Sequence, residues 1–280
     1  MNKILARQEL CKNITLLRID APLVARKCEP GQFIILRTDE NSERIPLTVA
    51  DFEREEGSVT IIFQVVGATT EKLNHLMPGD YLQDFAGPLG RMTQTDGLKK
   101  VCVIGGGVGC AIAYPVAKKL HALGAHTDVI IGFRNKELAI LDEAFSAHST
   151  RLIRMSDDGS YGDKGFVTDA LKKLLAGGET YDEVIVIGPL PMMKAVCTLT
   201  KEYGVKTIAS MNPVMIDGTG MCGGCRLTVG GETKFACVDG PDFDGHLVDF
   251  DEAMKRGSMY REFEQHTREE SCNLLHKEVK

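Results

Sequence analysis

The stretch Val101-Cys-Val-Ile-Gly-Gly-Gly-Val-Gly109 decides how this chain is read. Four apolar residues make a buried strand, glycines turn the backbone, and an apolar run past Gly109 starts a helix. Lacking Cβ atoms, Gly105, Gly106, Gly107 and Gly109 let the main chain turn sharply and come close to a phosphate. The helix N-terminus then offers free N–H groups and a partial positive charge. The same alternation continues downstream. Strands are expected at Val101–Ile104, Thr127–Gly132, Arg151–Met155, Glu183–Ile187 and Lys206–Met211, with helices near 110–123, 136–145, 165–176 and 191–203. That rhythm means α/β structure: a doubly wound parallel sheet covered on both faces.

The glycine pattern departs from the dinucleotide fingerprint in two ways. Counting from Gly105, the third glycine of G-x-G-x-x-G is Cys110. The acidic residue expected after the second strand is also missing, because that strand ends Gly132-Phe133-Arg134-Asn135-Lys136. A basic pair there tolerates or binds phosphate rather than accepting hydrogen bonds from a ribose.

Upstream, residues 1–96 read as all-β. Apolar stretches at Ile14–Ile19, Phe33–Leu36 and Val59–Val66 alternate with the turn signals Pro30-Gly31 and Pro78-Gly79-Asp80. Short strands at this spacing indicate an antiparallel sandwich or small barrel. One helix interrupts them, Thr69–Leu76, with Thr69 or Thr70 as N-cap. Past Met211 the α/β rhythm stops. Residues 212–246 are rich in Gly, Cys and Asp with little core of their own. A last amphipathic helix is expected at 247–268, with Phe250, Met254 and Gly257 on one face and Glu252 and Arg256 paired at i,i+4. The chain therefore divides as 1–96, 97–211, 212–246 and 247–280.

With 33 basic against 39 acidic residues the net charge is −6, which argues against a protein that grips nucleic acid. No apolar run approaches the ~20 residues of a membrane span. The start, MNKILARQEL, holds no secretory signal, so a cytoplasmic location with reduced thiols is expected. Disulfides then do not account for nine cysteines. Three of them fall in one window, Asp217-x4-Cys222-x2-Cys225-x11-Cys237. Plant-type [2Fe–2S] sites use C-x4-C-x2-C and a distant fourth Cys. The last three ligands stand at that spacing, and Asp217 occupies the first position. A structural zinc site also uses C-x2-C, but wants a second close Cys/His pair. His246, nine residues past Cys237, is the nearest candidate. Cys102 and Cys197 occupy apolar periodic positions and read as core.

These features in this order resemble the ferredoxin–NADP⁺ reductase superfamily. Within it the chain is similar to the electron-transfer subunit of dihydroorotate dehydrogenase and to the small subunit of NADH-dependent ferredoxin–NADP⁺ oxidoreductase. The resemblance rests on Pro30-Gly31-Gln32-Phe33, Ile45-Pro46-Leu47-Thr48, Gly67-x-Thr69-Thr70, Gly87-Pro88-Leu89-Gly90, the glycine loop, Asp157-Asp158-Gly159-Ser160, Gly165-x-Val167-Thr168, Gly188-Pro189 and the cysteine motif. It implies FAD, a [2Fe–2S] cluster and NAD(H), with NADP(H) as the other nucleotide.

The flavin strand of that family falls on Pro46, Leu47 and Thr48. The family's arginine position holds Ile45, with Arg44 one residue earlier. The segment Gln64, Val65, Val66, Gly67, Thr69 and Thr70 matches the flavin pyrophosphate loop. The pyridine nucleotide would run along Gly105–Gly109, Arg134, Asp157 and Gly188-Pro189. Ile187 replaces the cysteine that many relatives carry before that turn, and Met192 and Met193 read as packing residues.

The implied work is to pass electrons between NAD(H), FAD and the cluster, to or from a larger flavoprotein or iron–sulfur partner subunit, with ferredoxin involved indirectly. Such chemistry resides in the cofactors, and no acid, base or nucleophile is assigned. Asp217 favours the ferredoxin–NADP⁺ type over the dihydroorotate type, whose subunits carry four cysteines. A zinc-bearing, non-catalytic module is the reading from another class.

Overall fold

The structure, a computed structural model, describes residues 2–260 and Phe263. Its first part is a seven-stranded antiparallel sheet, made of β1 (Asn2–Cys11), β2 (Ile14–Asp20), β3 (Phe33–Arg37), β4 (Ile45–Glu53), β5 (Ser58–Gln64), β6 (Tyr81–Leu82) and β7 (Asp84–Leu89). The order is β6-β1-β2-β5-β4-β3-β7, so Gln83 alone separates the two edge strands and the sheet curls into a nearly closed barrel. Ile4, Leu17, Ile19, Ile34, Leu36, Ile61 and Phe63 fill its interior. The helix α1 (Pro22–Ala25) is one turn, and α2 (Ala68–His75) follows β5.

The cap of α2 corrects the sequence reading. Gly67, not Thr69 or Thr70, is the N-cap. Thr70 instead sits at N3, where its hydroxyl oxygen accepts from the N–H groups of Val66 and Gly67, both at 3.0 Å. A threonine can serve from N3 as well as from the cap, and the sequence does not distinguish the two.

The second sheet holds β8 (Lys100–Gly106), β9 (His126–Phe133), β10 (Arg151–Ser156), β11 (Asp163–Lys164), β12 (Glu183–Ile187) and β13 (Thr207–Ser210). With an antiparallel edge strand, β16 (Asp242–Asp244), the order is β11-β10-β9-β8-β12-β13-β16. The other pairs are parallel. The chain leaves β8 toward β9 and β10, then returns to β12 on the opposite side. Helices α3 (Gly109–Ala122), α5 (Val167–Ala176) and α6 (Leu190–Glu202) connect the strands. Val101, Val103, Ile104, Val129, Val184 and Ile185 are completely buried, each worth about 1.5–3 kcal/mol relative to exposure. Cys102 and Cys197 lie in the core as expected.

The helix expected at 136–145 is broken. A 3₁₀ turn at Lys136–Leu138, capped by the Asn135 side chain, is followed by α4 (Asp142–Ala147). Between them Leu141 has φ +59°. The break buries Ile140 and brings Asp142 to Arg154, whose Nε lies 2.6 Å from Oδ1.

The cysteine segment forms a hairpin, β14 (Arg226–Val229) and β15 (Glu232–Phe235). Its Cys225, Leu227, Ala236 and Cys237 join the same apolar cluster as Phe33 and Ile35 of the barrel and Val184 and Val186 of the second sheet. The segment thus shares a core it could not build alone. The final helix, α7, runs Phe250–Gly257. Positions 261–262 and 264–268 of the expected longer helix lie outside the described residues. Arg256 donates to the carbonyl of Gly224 at 3.4 Å. Its expected pairing with Glu252 is not among the ion pairs of the described residues.

Cross-links hold the three parts together. Lys118 and Lys119 of α3 reach Asp51 at 2.8 Å and Glu29 at 2.7 Å on the barrel. The connector after β7 runs along residues 238–242. Arg91 N–H donates to Gly240 O at 2.7 Å and its Nε to Val238 O at 3.0 Å, and the Thr93 hydroxyl donates to Asp242 at 2.6 Å. Burial raises the Asp242 pKa above the usual carboxylate value. Among the described residues no helix is long and apolar enough to cross a membrane.

Candidate functional site

A cleft of about 690 Å³ opens at the C-terminal ends of the parallel strands, within the size range of cofactor pockets. It stands where the strand order reverses between β8 and β12, the usual ligand position in such sheets. Gly106, Gly107 and Gly109 line it, and the N-terminus of α3 points at it. Gly105 does not line it. A Cβ there would come 2.9 Å from the Cys110 sulfur, so Gly105 lets α3 press against β8 and Cys110 fills the third glycine position as a buried packing residue. Gly109 touches the neighbouring turn, where an added Cβ would lie 2.7 Å from Ile187 O and 2.8 Å from the Gly188 Cα.

Arg134 after β9 and Asp157 after β10 line one end of the cleft, and Gly188, Pro189 and Met192 line the other. Arg134 and Asp157 are both exposed, so either charge is free to meet a ligand. Sequence reasoning missed Phe166. It is 65% exposed, precedes α5 and lines the Arg134 end. A large aromatic left open beside a nucleotide-sized cleft offers a stacking face. Nothing in an isolated Phe before a helix signals this. Of the two methionines read as packing, Met193 is fully buried, whereas Met192 borders the cleft.

The barrel contributes Ile14 and Gln64 to the same cleft. Strands β4 and β5 run antiparallel from Val49 opposite Ile61, which carries the start of β4 toward the end of β5. Arg44, Pro46, Leu47 and Thr48 therefore share one end of the barrel with Val65, Val66, Gly67, Thr69 and Thr70. Pro46 pairs with Ile35 and Thr48 with Phe33. Arg44 is exposed just ahead of β4, and Val65 is buried. At the α2 N-terminus Gly67 has open space where a side chain would be, and Val66 is 61% exposed. The first-turn N–H groups of a helix suit an anion. In this structure the Thr69 hydroxyl donates to the Glu43 carboxylate at 3.0 Å, an anion from the chain itself.

The cysteine loop pairs its four candidate ligands two by two. Cys225 and Cys237 are buried, with sulfurs 3.2 Å apart. Burial, then the hydrogen bond shared with Cys225, pushes the Cys237 thiol up to about 12. Asp217 and Cys222 make the second pair. Asp217 Oδ2 accepts from Cys222 N–H at 2.7 Å, and Oδ1 accepts the N–H and hydroxyl of Thr219, each at 2.5 Å. A hydrogen bond from the Cys222 thiol, then those from Thr219 and the Cys222 N–H, hold the Asp217 carboxyl well below the usual carboxylate range. Asp217 thus caps the Gly218–Gly220 turn while standing beside Cys222. The Gly224 and Cys237 N–H groups donate to the sulfurs of Cys222 and Cys225 at 3.4 and 3.5 Å.

Among the described residues no three such side chains converge on a single ion. Two pairs fit a two-iron centre, in which each iron takes two protein ligands. His246 is engaged elsewhere, with its Nε2 3.0 Å from Thr200 Oγ1. Cys222 is exposed, and Met221 and Ile216 near it are 89% and 57% exposed.

Comparison with known proteins agrees with this geometry. The iron–sulfur cluster binding domain of dihydroorotate dehydrogenase B matches residues 212–249. A Clostridium beijerinckii protein known as an uncharacterized protein in the adh 3′ region is 51% identical, over 93% of this chain and 91% of its own. A Thermotoga maritima protein named dihydroorotate dehydrogenase B (NAD(+)), electron transfer subunit homolog is 44% identical, over 94% of this chain and 93% of its own. A solved structure of an NADH-dependent reduced ferredoxin–NADP oxidoreductase, described for flavin-based electron bifurcation, superposes with a TM-score of 0.92 at 42% identity, covering 96% of this chain and 97% of that one.

Proposed function

The chain belongs to the family of dihydroorotate dehydrogenase B-type electron-transfer subunits, and from that premise we propose that it is the small subunit of a ferredoxin–NADP⁺ oxidoreductase of the electron-bifurcating kind. The observation that carries this reading is the near-complete superposition on the NADH-dependent ferredoxin–NADP oxidoreductase chain. When bound, NAD(H) supplies a hydride, FAD converts between two-electron and one-electron transfer, and the [2Fe–2S] centre carries single electrons.

The chain's own residues would bind and orient these groups. Gly106, Gly107, Gly109 and the start of α3 hold the nucleotide pyrophosphate. Phe166 faces the adenine. Asp157 accepts from the ribose hydroxyls, which favours NAD(H), while Arg134 beside it tolerates the phosphate of NADP(H). Pro46, Leu47 and Thr48 lie along the flavin ring edge. Gly67, Thr69 and the first turn of α2 meet the flavin pyrophosphate, with Arg44 at hand as a counter-charge. A pyrophosphate loop serves FAD and has no use in FMN. Asp217, Cys222, Cys225 and Cys237 hold the cluster. The exposed Met221 and Ile216 beside Cys222 suit an apolar contact with the larger subunit, through which ferredoxin is reached. The eight cysteines among the described residues are all free thiols, which fits a reducing cytoplasm.

The test is purification of the chain from its native host with whatever accompanies it, followed by its visible spectrum, acid-released flavin, iron content and partner identification. FAD, two irons per chain and a larger flavoprotein with iron–sulfur clusters are expected. Co-purification with a dihydroorotate dehydrogenase would move the chain to the second reading, which the Thermotoga maritima relative's name favours. A colourless zinc protein would reject both.

A further inference from the structure

Met192 occupies an unusual place in the cleft. It belongs to the first turn of α6, and its sulfur lies 2.3 Å from where a Cβ on Gly106 would be. Its Cε lies 2.6 Å from the corresponding point on Gly188. One side chain therefore rests across the bare Cα atoms of two glycines, one at the end of β8 and one after β12. A methyl group on either glycine would evict it. These two turns flank the point where the strand order reverses, which is where a planar ring entering the crevice has to lie.

The helix under Met192 does not move easily, because Met193 is fully buried beside it. The side chain itself is free to leave. Methionine is unbranched, with three rotatable bonds, and Met192 is only half-buried. The residues that face adenosine lie on the far side of β8, after β9 and β10. Met192 thus contends for one end of a dinucleotide and leaves the other alone.

We propose that Met192 is a plug at the nicotinamide end of the cleft, and that the pyridine ring seats only when this side chain swings off Gly106 and Gly188. This rests on the reading of the cleft as an NAD(H) site. Met192 is then a specificity-determining residue. It weakens binding of the nicotinamide half and not of the adenosine half, and so favours release of the spent ring.

The test compares binding of NADH and of ADP-ribose, which lacks the nicotinamide, to the complete flavin- and cluster-loaded protein, reduced beforehand so that NADH binds without giving up its hydride, by titration calorimetry. Met192→Ala is expected to tighten NADH by roughly three- to tenfold and to leave ADP-ribose within about twofold. Met192→Leu keeps an apolar plug and should stay close to the unaltered protein for both ligands. A Met192→Ala protein that binds NADH more weakly would show the side chain to be a contact for the ring, and would overturn the plug. Equal shifts for both ligands would overturn it too, since the effect would not be confined to one end. If neither ligand binds the unaltered protein, the nucleotide reading of the cleft falls, and the plug with it.

Discussion

The nucleotide cleft and the cysteine loop both depend on glycine, for opposite reasons. At Gly109 the requirement is volume, because the backbone of the neighbouring turn stands 2.7 Å from any added Cβ. At Gly218 it is handedness as well, with φ +77° between two ligand candidates. The cleft is a gap between two rigid strand ends, and its shape belongs to the sheet. The loop has no sheet of its own and takes its shape from hydrogen bonds to Asp217 and from the borrowed core under Cys225 and Cys237. Damage to one region should therefore leave the other intact.

The largest expected effect is at Cys225, which is both a candidate ligand and a core residue. Cys225→Ser should abolish the iron content and the visible bands of the cluster, while ADP-ribose binding stays within about twofold. Joint loss of both would show that the two regions fold as one. The next effect is the converse. Gly109→Ala forces the β8 and β12 turns apart, which for overpacking costs about 1–3 kcal/mol. NADH affinity of the pre-reduced protein, measured by calorimetry, should fall at least about tenfold, with iron content unchanged.

Asp217 sharpens the comparison further. Asp217→Ala should lower cluster content without abolishing it, and Asp217→Cys should keep a [2Fe–2S] centre with a shifted potential, read by electron paramagnetic resonance under redox titration. Cluster content and potential unchanged in Asp217→Ala would reject ligation and leave only the cap. The cap also sets a pH dependence. The folded carboxyl titrates below its unfolded value. Its stabilisation is therefore complete above the unfolded value of about 3.9 and fades as the pH falls through that value toward the lower folded one. The melting temperatures of the cluster-free unaltered chain and of its cluster-free Asp217→Ala variant should differ at pH 7 and converge below about pH 4.

The smallest effect concerns Glu43, whose carboxylate accepts from Thr69 at the α2 N-terminus, the end proposed to meet the flavin pyrophosphate. Glu43→Gln removes a like charge and should tighten FAD binding by the cluster-bearing, flavin-free protein a few-fold, as read by quenching of flavin fluorescence. Weaker FAD binding would remove the pyrophosphate from this helix end.

What could be read in advance follows from how local each signal is. Cluster ligation depends on spacing, so Cys222, Cys225 and Cys237 stand out in the bare sequence, but the pairing of Cys225 with Cys237 depends on the hairpin between them. The β8–α3 turn was legible because strand, glycines and helix are consecutive. The left-handed Leu141 was not, since its conformation comes from burying Ile140 and from the Arg154–Asp142 pair, both set by tertiary contacts. Phe166 and Met192 escaped for the same reason. Their meaning lies in a cleft assembled from loops far apart in sequence. The candidate flavin strand was legible only by resemblance, because Pro46-Leu47-Thr48 in isolation is an ordinary piece of sheet.

The connector at Arg91–Thr93 has a mechanical consequence. It is stitched by backbone and side-chain bonds to residues 238–242, immediately past Cys237, and that segment is in turn an edge strand of the second sheet through β16. Barrel, cluster loop and nucleotide sheet are thereby bolted to one chassis. Electron tunnelling weakens steeply with separation, so a hinge between the parts would switch the current on and off. Among the described residues, these bonds tie down the centre of the molecule, where such a hinge would have to lie. On the function proposed above, its wiring would have a fixed length, and traffic through it would be timed at the ends, by a side chain in the cleft and a partner over the exposed cysteine.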